Sequence, residues 1–181
     1  SSVQVLITAS DDGFCRAWRN RVAFATFAIT PQRPIFALSP VPGDDTAFLT
    51  GDATGIVRLW KLRDQNNKSI VIALLPQSKR GGVVAKEMNL QQESPSLQQC
   101  TKRPYIHDLV CLSDNVLFAA TKRGVLWMLE QESAGQICVT ALAASHFALN
   151  STTTLRGVAL LASTNRVVTA GGDGLLCIYN V

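Results

Sequence analysis

LITASDDGFCRAW (Leu6–Trp18), FLTGDATGIVRLW (Phe48–Trp60), LFAATKRGVLWML (Leu117–Leu129) and VVTAGGDGLLCIY (Val167–Tyr179) are four versions of one pattern. Each has an apolar or β-branched run, a small polar turn ending in glycine, and a second apolar run. The turn glycines are Gly13, Gly55, Gly124 and Gly174. Five residues before them stand Thr8, Thr50, Ala119 and Thr169, and five after stand Trp18, Trp60, Leu129 and Tyr179. A glycine tolerates the positive φ of a tight turn, and a neighbouring Asp or Asn accepts it better than most residues. The flanking runs are too short for helices and rich in Val, Ile, Leu and Thr. Each unit therefore reads as a β-hairpin.

The glycines are spaced by 42, 69 and 50 residues. A period of about 40–45 residues with four strands per unit is that of a propeller blade. The long middle gap calls for an insertion. Runs at 21–27, 69–75 and 136–143 follow the hairpins and read as outer strands. Runs at 34–39, 106–112 and 155–161 precede them and read as inner strands, which in a propeller line the centre while blade faces stack on their neighbours. No segment sustains a helical period, so the chain is predicted to be all-β. The blades fall at 1–27, 28–75, 105–143 and 144–181, and 76–104 is a basic, Gln-rich insertion loop.

The segments DDGFCRAW, TGIVRLW and GDGLLCIY resemble the second and third strands of WD repeats. The resemblance covers nearly the whole chain outside 76–104. It implies a WD-repeat β-propeller in which a strand Thr or Ser, a turn Asp, a strand Trp and an upstream His share a hydrogen-bond network. Thr8, Asp12 and Trp18 match three of those positions in the first unit. In the fourth, Thr169 and Asp173 match, with Tyr179 in the Trp place. The second has Thr50 and Trp60 but Thr54 in the Asp place, and the third keeps none of the three. Departures are clear: Arg19, Lys61, Glu130 and Asn180 replace the Asp of the Trp-Asp pair, and no Gly-His pair precedes an inner strand. The strands count three, four, four and three, which places the chain as about three and a half to four blades, the C-terminal half of a seven-bladed ring. Such an arc exposes sheet edges and blade faces, so the N-terminal half of the same propeller or a second copy is expected to close it.

Composition narrows the function. The chain has 181 residues, 47% hydrophobic and 17% charged, a globular balance. Its net charge of +4 is mild beside the strongly basic domains that coat nucleic acid. The five cysteines lack a Cys-x-x-Cys pair, and His107 and His146 stand alone, so no metal site or other cofactor is expected. The cysteines read as buried, reduced thiols, hence an intracellular protein, cytoplasmic or nuclear. No apolar run is long enough to span a bilayer, and no membrane partner is expected. Asp11-Asp12 and Asp44-Asp45 read as turn residues, and Gly171–Gly174 lacks the Lys-Ser/Thr and helix of a phosphate loop. No catalytic residues and no enzyme activity are therefore expected. The insertion carries Lys79, Arg80, Lys86, Lys102 and Arg103 against Glu87 and Glu93. Propeller connectivity puts this loop on the same face as the Lys122-Arg123 turn, making Lys79, Arg80, Lys102, Arg103, Lys122 and Arg123 a candidate basic rim. The reading is a non-catalytic scaffold that binds other protein subunits through loops and blade edges. The alternative is a propeller that takes RNA or an acidic partner on its basic rim.

Overall fold

The computed structural model describes residues 4–29, 31–63, 69–75, 105–113, 115–122, 124–131, 137–143, 147–148, 151–152 and 154–181. The expected insertion, 76–104, lies outside them. The regular structure of the described residues is almost all strand: β1 (Leu6–Ala9), β2 (Phe14–Arg19), β3 (Val22–Ala28), β4 (Ile35–Val41), β5 (Asp44–Asp52), β6 (Ile56–Lys61), β7 (Ile70–Leu74), β8 (Ile106–Ser113), β9 (Val116–Thr121), β10 (Leu126–Gln131), β11 (Ile137–Ala143), β12 (Phe147–Ala148), β13 (Ser151–Thr152), β14 (Leu155–Leu161), β15 (Arg166–Gly171) and β16 (Leu176–Asn180). One short 3-10 turn, Ala162–Thr164, joins β14 to β15.

Within each sheet consecutive strands pair antiparallel, giving four meander sheets: β1-β2-β3, β4-β5-β6-β7, β8-β9-β10-β11 and β14-β15-β16. The four glycine-ended turns join the middle strands. Gly13, Gly55, Gly124 and Gly174 all have φ between 72° and 79°. In each turn the glycine N–H donates to the carbonyl three residues back, on Ser10, Asp52, Thr121 and Gly171, at 3.1–3.2 Å. One local rule thus builds four hairpins. At Gly13 a second constraint applies, since an added Cβ would meet the backbone of Arg33 at 3.0 Å.

Two features were not expected. A small hairpin, β12-β13, precedes the last sheet. The Asp44-Asp45 pair, read as a turn, opens β5, and the turn before it is Pro42-Gly43. Asp44 still caps locally, accepting from the Thr46 N–H (2.9 Å) and hydroxyl (2.6 Å); the Thr46 bonds hold its carboxyl below the usual carboxylate range.

The sheets stack through three apolar layers. Cys15, Ala17, Phe27 and Ile29 of the first sheet pack on Ile35, Phe48 and Trp60 of the second. Leu49 and Val57 of the second pack on Ile106, Leu109, Leu117 and Trp127 of the third. Phe118, Ala120 and Leu126 of the third pack on Leu155, Val158 and Val167 of the fourth. Alternation along a strand explains this: Trp60 faces the first sheet and Val57 the third, so one strand serves two interfaces. Among the described residues no sheet covers the two outermost faces. On the last sheet, Leu176 is 73% and Ile178 61% exposed, and on the first, Leu6 is 63% exposed.

The four described cysteines are free thiols. Only Cys15 is fully buried, and burial pushes its thiol up to about 12. Cys111, Cys138 and Cys177 are half-buried.

Gly51 shows how closely the sheets approach. A Cβ there would lie 2.5 Å from Cγ2 of Ile106 on the facing sheet. Gly51→Ala should destabilise the chain by about 1–3 kcal/mol, the usual cost of overpacking. The same change in an Ile106→Ala background should cost distinctly less, and urea titration of the four proteins in the cycle measures the difference.

Candidate functional site

The hairpins carry the polar network that the resemblance implies, with changes of placement. Trp18 Nε1 donates to Thr8 Oγ1 at 2.9 Å, and Trp60 Nε1 donates to Thr50 Oγ1 at the same distance. Trp60 and Thr50 are buried between the first two sheets. Trp18 lies on the uncovered face of the first sheet and is only half-buried, although its repeat position equals that of Trp60.

In the first turn Asp12 accepts from the Phe14 N–H (3.0 Å) and pairs with Arg16 (3.0 Å), and those bonds hold its carboxyl below the usual range. In the second, Thr54 occupies the position of Asp12, but an acid is still present. Asp52, two residues earlier, accepts from the Thr54 N–H (2.7 Å), the Thr54 hydroxyl (2.6 Å) and the Ile56 N–H (3.2 Å), and forms an ion pair with Arg58. Asp52 is fully buried and Arg58 nearly so. Arg16 and Arg58 both stand three residues after the turn glycine, so the same cation meets an acid supplied from two different turn positions. In the third turn the Thr121 hydroxyl donates to the Val125 carbonyl (2.9 Å), while Trp127 Nε1 is buried with no partner among the described residues. In the fourth, Asp173 accepts from the Leu175 N–H (3.1 Å), Thr169 is buried and Tyr179 packs against the third-to-fourth layer.

Of the candidate rim, Lys79, Arg80, Lys102, Arg103 and Arg123 lie outside the described residues. Lys122 is exposed; its N–H donates to the Tyr105 carbonyl (3.0 Å) and its ammonium lies 4.8 Å from the centre of the Tyr105 ring.

That contact leads to a cluster that the sequence reading passed over. The three inner strands β4, β8 and β14 begin with a buried residue, Ile35, Ile106 and Leu155. Each then shifts register against the next strand, between Ile35 and Ala37, between Ile106 and Asp108, and between Leu155 and Gly157. The skipped residues are Phe36, His107 and Arg156. A bulge re-aims a side chain away from its ladder, here at one level on three neighbouring strands. Phe36 stacks on His107 with ring centres 5.7 Å apart and tilts against Tyr105 at 6.2 Å. Burial, then Arg156 and Lys122, push the His107 imidazole below its ordinary value. Next to it, Asp108 faces the fourth sheet, accepting from the Val158 N–H (2.9 Å) as well as from its neighbour Leu109 (2.9 Å). Burial raises its carboxyl. The inner strands begin 20, 18 and 19 residues before the turn glycine, so alignment on the glycines does not superpose these three positions. Alignment on the first buried residue of each inner strand would have done so.

Among the described residues no three His, Cys, Asp or Glu side chains are grouped to hold a metal ion, and no helix is long and apolar enough to cross a membrane.

The β-propeller domain of Cps50 (Swd1) from Myceliophteria thermophila superposes on 98% of this chain with a TM-score of 0.66 at 13% identity. The WD40 β-propeller domain of Doa1 superposes on 99% with a TM-score of 0.62 at 16% identity. The fold is that of a WD40 β-propeller. The chain spans about half of each, 48% in both cases, so it is a partial propeller of four stacked sheets. No family model matches the sequence, and no curated protein does.

The two turn acids should differ sharply in their effect on stability. Asp52→Ala leaves the Arg58 guanidinium buried without a counter-charge and should cost about 3–5 kcal/mol. Asp12→Ala removes an exposed partner of a half-exposed arginine and should shift the melting midpoint far less. Thermal or urea unfolding of both variants compares them.

Proposed function

We propose that this chain is a non-catalytic protein-interaction scaffold within a multi-subunit assembly, binding through its loops and blade edges. The observation that carries the reading is the contrast between its sheet faces. Three interfaces are filled with buried apolar side chains, whereas the last sheet turns Leu161, Leu176 and Ile178 to solvent. A contiguous apolar sheet face on a folded chain marks a surface that associates. The partner that fits is another blade-like sheet, from the N-terminal half of the same propeller or from a second copy.

Leu176→Asp combined with Ile178→Asp should abolish this association while leaving the far-UV spectrum unchanged. Light scattering of the chain, alone and co-expressed with the N-terminal half of the propeller, reads the result. A wild-type chain that stays monomeric under both conditions would sink the reading.

A second part of the proposal concerns the basic rim of Lys79, Arg80, Lys102, Arg103, Lys122 and Arg123. These residues would attract an acidic partner subunit or the phosphates of RNA. Reversing the charges of Lys79, Arg80, Lys102 and Arg103 together should weaken partner binding and flatten its dependence on salt. Titration of the purified partner at low and high ionic strength checks this, and an unchanged salt slope would remove the rim from the interface.

A further inference from the structure

We propose that Phe36, Tyr105, His107, Lys122 and Arg156 form a binding site for the carboxylates of an acidic peptide segment, on the inner strands where the second, third and fourth sheets meet. The proposal rests on the scaffold reading and gives one of its partners a chemistry. Its residues come from three sheets and, apart from Lys122, lie outside the basic rim.

The construction is repeated and positional. Phe36, His107 and Arg156 are the residues skipped by the register shifts of β4, β8 and β14, each directly after a buried residue that anchors its strand. Three bulges at one level aim three side chains into one neighbourhood. Tyr105 and Lys122 join from the third sheet, where the Lys122 N–H donates to the Tyr105 carbonyl.

The charge is one-sided. Lys122 and Arg156 are both exposed, and among the described residues neither has a carboxylate within ion-pair distance. Asp108, which follows His107 in sequence, accepts from the N–H groups of Val158 and Leu109. Acting on His107 are Arg156 from β14 and Lys122 from the β9–β10 turn, with uncharged Phe36 stacked on it from β4. Burial, then these two cations, push the imidazole below its ordinary value, and its Nε2 is buried without a hydrogen-bond partner among the described residues. A positive, partly desolvated surface of this kind is complementary to an anion.

The aromatic rings favour a carboxylate over a nucleobase. Single-stranded nucleic acid is held by bases lying on free ring faces. Here the faces are engaged with one another: Phe36 with His107 and Tyr105, and Tyr105 with the Lys122 ammonium. Phe36 and Tyr105 are each 39% exposed, and ring edges carry the positive side of the aromatic quadrupole. An acidic side chain placed between Lys122 and Arg156 would offset the potential that disfavours imidazolium. His107 would then take up a proton on binding, and affinity should rise as pH falls through the histidine range.

The test uses the full chain and a fluorescein-labelled oligoglutamate, read by fluorescence anisotropy. Arg156→Gln and Lys122→Gln should each weaken binding by about tenfold. Lys122→Arg should restore most of it, and Arg166→Gln, which removes the same charge beside Asn180, should leave it unchanged. Thermal melts confirm that every variant is folded. Equal binding by wild type and both Gln variants, or equal losses in Arg166→Gln, overturns the site. Tighter binding of oligouridine through the same residues overturns the peptide as its ligand. Partner subunits that still co-purify with wild type when oligoglutamate does not bind leave the scaffold reading standing and remove this site alone. Absence of any co-purifying subunit removes both.

Discussion

Between the first two sheets, Trp60, Phe27 and Phe48 form one aromatic cluster. Phe27 meets Phe48 edge-on at 5.3 Å and Trp60 at 5.6 Å, and Phe48 lies nearly parallel to Trp60. All three rings are buried. The cluster illustrates the constraint on which the whole arc depends: an antiparallel sheet with apolar side chains on both faces gains stability from each face that a neighbouring sheet covers. Rings of this size bury more area per residue than any other side chains and favour such offset or edge-on contacts. Trp60 also needs a polar partner for its indole N–H, and Thr50 supplies it from within the same sheet. The hydrogen bond therefore fixes the orientation of the ring that makes the interface.

Because stacking carries the fold, the turn chemistry can vary between sheets. Every turn keeps a positive-φ glycine and its hydrogen bond to the carbonyl three residues back. The acids around it move: Asp12 and Asp173 sit directly before the glycine, Asp52 sits three before it, and the third turn uses the Thr121 hydroxyl. A turn N–H needs an acceptor, and a carboxylate at more than one position before the glycine can reach one. Burial decides how strongly each choice is held. Asp52 is covered by the first sheet and takes four polar contacts, whereas Asp12 lies on an uncovered face.

The inner strands combine two tasks. Their first residues, Ile35, Ile106 and Leu155, complete the layers between sheets, and the next residue in each leaves the ladder. Asp108 then ties the third sheet to the fourth through the Val158 N–H. The outcome is a wall that is apolar and interlocked behind, with aromatic and basic groups in front. The proposed acidic ligand and the proposed sheet-on-sheet partner would use different parts of the molecule, the first the inner strands and the second the open faces.

The hairpin pattern was legible in residues alone, because a glycine at positive φ between two short β-branched runs leaves the backbone few alternatives. The all-β class and the four turn glycines follow from that local chemistry, whereas the pairing of Thr8 with Trp18 and of Thr50 with Trp60 is what the resemblance to WD repeats implied. The acid of the second turn escaped the reading, since matching by column pointed to Thr54 while the carboxylate that reaches the turn belongs to Asp52. The difference between Trp18 and Trp60 was also invisible, because identical repeat positions acquire different burial only when one face is covered by a neighbouring sheet. Phe36, His107 and Arg156 are separated by 71 and 49 residues and look unremarkable in their strands. Local sequence determines how each hairpin turns, through steric limits on φ and the alternation of strands. Only the stacking of the sheets decides which side chains are buried and which distant bulges meet, because those depend on contacts between residues that the chain does not place near one another.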